Sequence, residues 1–121
     1  MIAITDTSPL LYLVWIEKAW ILPELFTKVL SPSAVVVELQ HAKTPALVRD
    51  WIEKPPNWLE IHSPKSLWVN PKLGPGELSA ISLALESAPC HLLIDDRDAA
   101  LAGALGDGWI HGWGMRVAHD F

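Results

Sequence analysis

The chain has 121 residues, half of them hydrophobic and 19% charged, a size that fits one domain spanning residues 1–121 and a composition that excludes disorder. Nine Lys and Arg against fourteen Asp and Glu leave a net charge of −5. A broad basic face for nonspecific DNA binding is therefore absent, and any nucleic acid has to be gripped locally.

Cys90 is the only cysteine, which excludes an internal disulfide framework and a CxxC metal site and fits a reducing, cytoplasmic setting. The start, Met-Ile-Ala-Ile-Thr-Asp, lacks the basic region of a secretion signal, and the apolar run Leu10 to Ile16 stops at Glu17. That run is too short to span a bilayer, so no membrane partner is expected.

Ile2 to Ile4 reads as a short strand ending at Asp6, with Ser8 as N-cap and Pro9 in the first turn of a helix through about Ile16. The same punctuation returns at Val29-Leu30, then Ser31-Pro32, then a helix over Ala34 to His41. Thr44-Pro45 opens a third helix, which passes Trp51 and Ile52 and stops before Pro55-Pro56. Trp58 to Ile61 reads as a strand, and Ser63 to Pro75 as an irregular rim loop or lid. Leu78, Ile81 and Leu85 recur at helical spacing behind Glu77, which predicts a helix over Gly76 to Ser87. His91 to Ile94 is a strand ending in Asp95-Asp96, followed by an alanine-rich helix that halts at Gly106. In the remaining glycine- and tryptophan-rich tail, residues 106–121, the pattern offers at most a short strand near Trp109 to His111 and no closing helix.

Strands alternating with helices predict an α/β fold: a three-layer, doubly wound parallel sheet with helices on both faces. In such sheets the carboxyl ends of the strands border the binding crevice, and both Asp6 and the Asp95-Asp96 pair fall there.

Each acidic residue has an ordinary explanation on its own. Asp6 could cap the next helix, Glu38 could be a solvated helix residue, and Glu77 suits the positive end of a helix dipole. Asp95 and Asp96 are adjacent carboxylates after a buried strand, and one of them, the sequence does not say which, is free of any capping role. Taken together, Asp6, Glu38, Glu77 and one of the pair form an all-oxygen set suited to Mg²⁺ or Mn²⁺, because several carboxylates in one pocket need a cation to stay ionised. Such an ion could activate water against a phosphodiester.

Other chemistries find little support. His41, His62, His91, His111 and His119 include no i, i+4 pair for helical zinc. There is no GxGxxG or GK[ST] loop, and Ser8 lacks a GxSxG setting. A phosphoacceptor resembling a response regulator requires an acidic pair after the first strand and a late lysine; here the pair comes late and no Lys follows Lys72. Seven tryptophans (Trp15, Trp20, Trp51, Trp58, Trp68, Trp109 and Trp113) read first as packing or interface residues. Trp68, in the irregular loop, is the one best placed to stack on an RNA base, with Lys65, Lys72 and Arg97 as phosphate contacts.

Ile4-Thr5-Asp6-Thr7-Ser8-Pro9-Leu10, Val35-Val36-Val37-Glu38-Leu39, Gly76-Glu77-Leu78-Ser79-Ala80-Ile81 with Leu83-Ala84-Leu85-Glu86, and Leu92-Leu93-Ile94-Asp95-Asp96-Arg97 occur in that order over roughly residues 2–106. In this the chain resembles the PIN domains, specifically the small prokaryotic group related to VapC-type toxins. The resemblance implies a metal-dependent ribonuclease whose acidic residues correspond to Asp6, Glu38, Glu77, Asp95 and Asp96. It also implies RNA as substrate, a small antitoxin as partner and a possible homodimer. Ser79 stands where related sequences often carry a second acid, and the segment from Asp107 onward lacks the family's usual final strand and helix. The expected activity is endonucleolytic cleavage of RNA; the alternative is a catalytically impaired PIN-like module that binds an antitoxin or RNA.

Overall fold

The computed structural model describes residues 1–67, 73–87, 89–95, 109–112 and 115–118. In chain order its elements are β1 (Ile2–Thr5), α1 (Thr7–Trp15), α2 (Ile21–Leu25), β2 (Lys28–Ser31), α3 (Ser33–Leu39), α4 (Ala46–Glu53), β3 (Leu59–Ile61), α5 (Pro75–Ser87), β4 (His91–Asp95), β5 (Trp109–Gly112) and β6 (Met115–Ala118). The sheet order is β3-β2-β1-β4-β6-β5. The first four strands are parallel: Ile4 pairs with Leu30 on one side and Leu92 on the other, and Leu30 pairs with Glu60.

Apolar residues on both sides of the strands give the sheet two cores. Ile4, Leu30, Leu92 and Ile94 pack with Ala80, Ile81 and Ala84 of α5. Val29, Leu59 and Leu93 pack against Leu10 and Val14 of α1, Val35 and Leu39 of α3, and Val48 and Ile52 of α4. Strand residues 29 and 30, and 92 through 94, alternate between the two clusters because successive side chains leave opposite faces. The expected three-layer α/β arrangement follows directly.

Two helix starts and one added helix depart from the sequence pattern. The helix after β1 begins at Thr7, so the N-cap position belongs to Asp6 and not Ser8, with Pro9 still inside the first turn where its missing N–H costs nothing. Ser31 remains in β2, its hydroxyl donating to the Thr5 carbonyl at 3.0 Å, while Pro32 occupies the N-cap position of α3. Between α1 and β2 lies the unexpected short helix α2, which accommodates Pro23 because the segment is only 5 residues long.

The end of α1 is a Schellman turn: Glu17 N–H donates to Val14 and Lys18 N–H to Leu13, at 3.0 and 2.8 Å. Glu17 sits there at φ 60, in the left-handed region that normally selects glycine.

The tail departs most from expectation. It forms two strands, not one: β5 and β6 pair antiparallel, Gly112 opposite Met115, and β6 runs antiparallel along β4. The tail's glycines read as loop in the sequence because they weaken any strand propensity. The alanine-rich stretch after β4, ending at Gly106, lies outside the described residues.

Candidate functional site

The chain leaves β1 toward β2 and β3 on one side and later returns to place β4 on the other. β1 and β4 therefore flank the point where the winding direction reverses, the place where sheets of this kind bind their ligands. Asp6 follows β1, and Asp95 is the last residue of β4. The two ends are laced together: Thr5 is in register with Leu93, and Asp6 N–H donates to the Leu93 carbonyl at 3.0 Å.

Asp6 is 1% exposed. It stands at the N-cap position of α1 with extended backbone, yet its carboxylate makes no capping bond to that helix. Helix capping thus does not account for an aspartate here, although Asp is a preferred residue for that task. A carboxylate at this depth requires hydrogen bonds or a nearby positive charge to remain ionised.

Glu38, on α3, is half-buried and not a solvated helix residue. Its Oε2 accepts a short hydrogen bond from Thr7 Oγ1, and its Oε1 accepts from Gly76 N–H at 3.0 Å. Thr7 is the neighbour of Asp6, and Gly76 is the neighbour of Glu77. One carboxylate near the end of α3 therefore fastens the start of α1 and the first turn of α5. Gly76 N–H is among the amides that have no partner inside their own helix, and an acceptor there is favoured further by the helix dipole.

Gly76 permits this approach because it lacks a side chain. A Cβ at that position would lie 2.5 and 2.7 Å from the two Glu38 carboxylate oxygens. Glu77, in the first turn of α5, is half-buried and folds back toward the loop, so that a Cβ on Gly74 would meet its Oε2 at 2.7 Å. Behind it, Ser79 and Ser82 are buried on the same helix.

The fold thus gathers the elements that carry Asp6, Glu38, Glu77 and Asp95 at one edge of the sheet. Among the described residues, no three His, Cys, Asp or Glu side chains are grouped so as to hold a single ion. The Asp95 side chain and all of Asp96, Trp68, Lys72 and Arg97 lie outside what is described. Thr7 and Gly76 are the site residues that acidic-residue counting missed. Their signal was adjacency: each stands next to a predicted site acid.

A family model described as DUF3368, a PIN domain, matches residues 2–108. The chain belongs to the PIN-domain family. PIN domains are generally nucleases and generally use divalent metal ions. No curated protein and no solved structure matches the chain. In this PIN domain the matched span ends just before β5, so the C-terminal hairpin lies beyond the family model. No helix among the described residues is long and apolar enough to cross a membrane.

Proposed function

We propose that this PIN domain is a Mg²⁺- or Mn²⁺-dependent endoribonuclease of VapC type, the cytoplasmic toxin of a pair whose partner is a small antitoxin, acting as a single domain and possible homodimer. The observation that carries the reading is the buried Asp6 carboxylate at the β1/β4 crevice, with no capping bond to α1. The donor set suits the ion in kind, because Asp6, Glu38, Glu77 and Asp95 offer only carboxylate oxygens.

Asp6, Glu77 and Asp95 or Asp96 would hold the metal. When bound, the ion supplies Lewis-acid stabilisation of the charge that develops on the phosphodiester. Glu38 contributes by fixing Thr7 and Gly76, and through them the backbones of Asp6 and Glu77, with its own negative charge facing the same edge. Positioning of this kind matters because small displacements of catalytic groups cost large factors in rate.

The test is cleavage of RNA by the purified chain with Mg²⁺ or Mn²⁺. Asp6→Asn is expected to lower the rate at least ~100-fold, consistent with loss of metal-supported charge stabilisation, and chelation should abolish it. Equal cutting by wild type and Asp6→Asn, or cutting that survives complete chelation, overturns the mechanism.

A binding-only module is the second reading. It is favoured by Ser79 in place of an acid and by the engagement of both Glu38 oxygens. Metal uptake with a stable antitoxin or RNA complex and no turnover would select it.

A further inference from the structure

The sheet edge opposite the acidic crevice carries a pocket of different chemistry. α1 starts at the carboxyl end of β1 and runs back for 9 residues, about 13 Å at 1.5 Å per residue. Its C-terminal turn meets α4 and the residues just before β3, and the pocket between them is lined by Val14, Glu17, Trp20, Leu47, Trp51 and Trp58. It encloses about 290 Å³, at the small end of ligand sites, roughly 300–1,000 Å³.

Three indoles and one carboxylate define its character. The Trp51 and Trp58 rings meet at 51° with centroids 5.9 Å apart, forming an aromatic corner. Trp20 is 56% exposed, a large apolar area to leave in water, and Glu17 is the one charged residue among the described lining. The left-handed backbone at Glu17 belongs to the turn that presents this wall. An ammonium already uses one of the rings: Lys18 Nζ lies 5.9 Å from the centroid of Trp20.

Ring faces are electron-rich and attract cations, most strongly for Trp. An anion would meet the Glu17 carboxylate and a chain of net charge −5. Glu17 is exposed, so its carboxylate stays hydrated whichever guest binds, and its charge favours a cation over a neutral or anionic guest. We infer that this pocket is an aromatic cage for a small organic cation of the quaternary-ammonium class, held by the indoles of Trp20, Trp51 and Trp58 with Glu17 as counter-charge.

Calorimetric titration of the full chain with choline, and with its neutral isostere 3,3-dimethylbutanol, tests the inference. Choline is expected to bind saturably and about tenfold more tightly than the isostere, as an ammonium held against ring faces requires. Glu17→Gln, which keeps the side chain's shape, and Trp20→Leu, at an exposed position, should each weaken choline about three- to tenfold. Lys18→Met should tighten it by removing the internal competitor. Equal affinity for the two ligands, no binding of choline, or choline affinity unmoved by both weakening variants overturns the assignment. So does a dimer that Trp20→Leu dissociates and that takes up no choline, because a second copy would then be the occupant.

Discussion

Gly76 and Glu38 are matched in shape and in hydrogen bonding: the amide of one donates to the carboxylate of the other at 3.0 Å, in a space with no room for a methyl group. Two effects oppose each other on substitution. Alanine is the better helix former by about 0.5–1 kcal/mol, whereas displacing Glu38 forfeits a charge-assisted hydrogen bond worth about 1.5–3 kcal/mol. Gly76→Ala should therefore destabilise the protein by about 1–2 kcal/mol and depress RNA cleavage. In a Glu38→Ala background the clash is gone, so the same change should become neutral or stabilising. Denaturant melts of the four proteins in this cycle measure the coupling; additive effects would show that the two residues act independently.

Glu38→Gln separates charge from shape. The Thr7 hydroxyl can rotate to accept from the new amide, and the remaining carbonyl oxygen can still accept from Gly76 N–H. Stability should stay within about 1 kcal/mol of wild type, while Glu38→Ala, which strands a partly buried donor, should lose about 1–3 kcal/mol. Cleavage by the Gln variant should fall by an order of magnitude or more through lost negative charge alone. Thermal unfolding beside a cleavage time course checks both halves.

Glu17→Gly should stabilise the fold. A left-handed conformation costs a residue with a Cβ about 1–2 kcal/mol, and glycine returns part of that by its greater freedom in the unfolded chain. A net gain of about 0.5–1 kcal/mol is expected, read as a rise in melting temperature with secondary structure unchanged. A lower melting temperature would show that the Glu17 side chain contributes more to the turn than its backbone costs.

Cys90 is 1% exposed, and its Sγ–H donates to the Ala84 carbonyl at 3.4 Å. Burial pushes its thiol up to about 11. Native protein at pH 8 should therefore resist alkylation until it unfolds. Above pH 9 the unfolded chain gives up this proton while the folded chain retains it, so this group's contribution to stability falls between pH 9 and about 11. Cys90→Ala should flatten that part of the pH–stability curve, as equilibrium melts at several pH values would show.

The parallel sheet and its two faces were legible because central strands leave a simple trace: short apolar runs separated by helix-length segments with proline near their starts. The acidic residues were visible, but their partners were not. Adjacency to Asp6 and Glu77 points to Thr7 and Gly76 but not to their acceptor, a carboxylate 31 and 38 residues away in sequence; that relation exists only once α3 packs with α1 and α5. The Ser31 hydroxyl was misread for a related reason: in sequence, Ser-Pro signals a helix start, but the Thr5 carbonyl on the neighbouring strand is the acceptor it uses. The C-terminal hairpin was obscured by its own glycines, since β6 gains its order from pairing with β4, and β5 from pairing with β6, and not from local preference.

That hairpin gives the molecule a timetable. Synthesis makes β4 before β6, so until Met115–Ala118 emerges the outer margin of β4 presents unsatisfied amides and carbonyls beside Asp95. A stop codon shortly after Asp95 would make this exposure permanent. Such a product should self-associate through strand addition, whereas a chain that includes Met115–Ala118 closes the gap with β6.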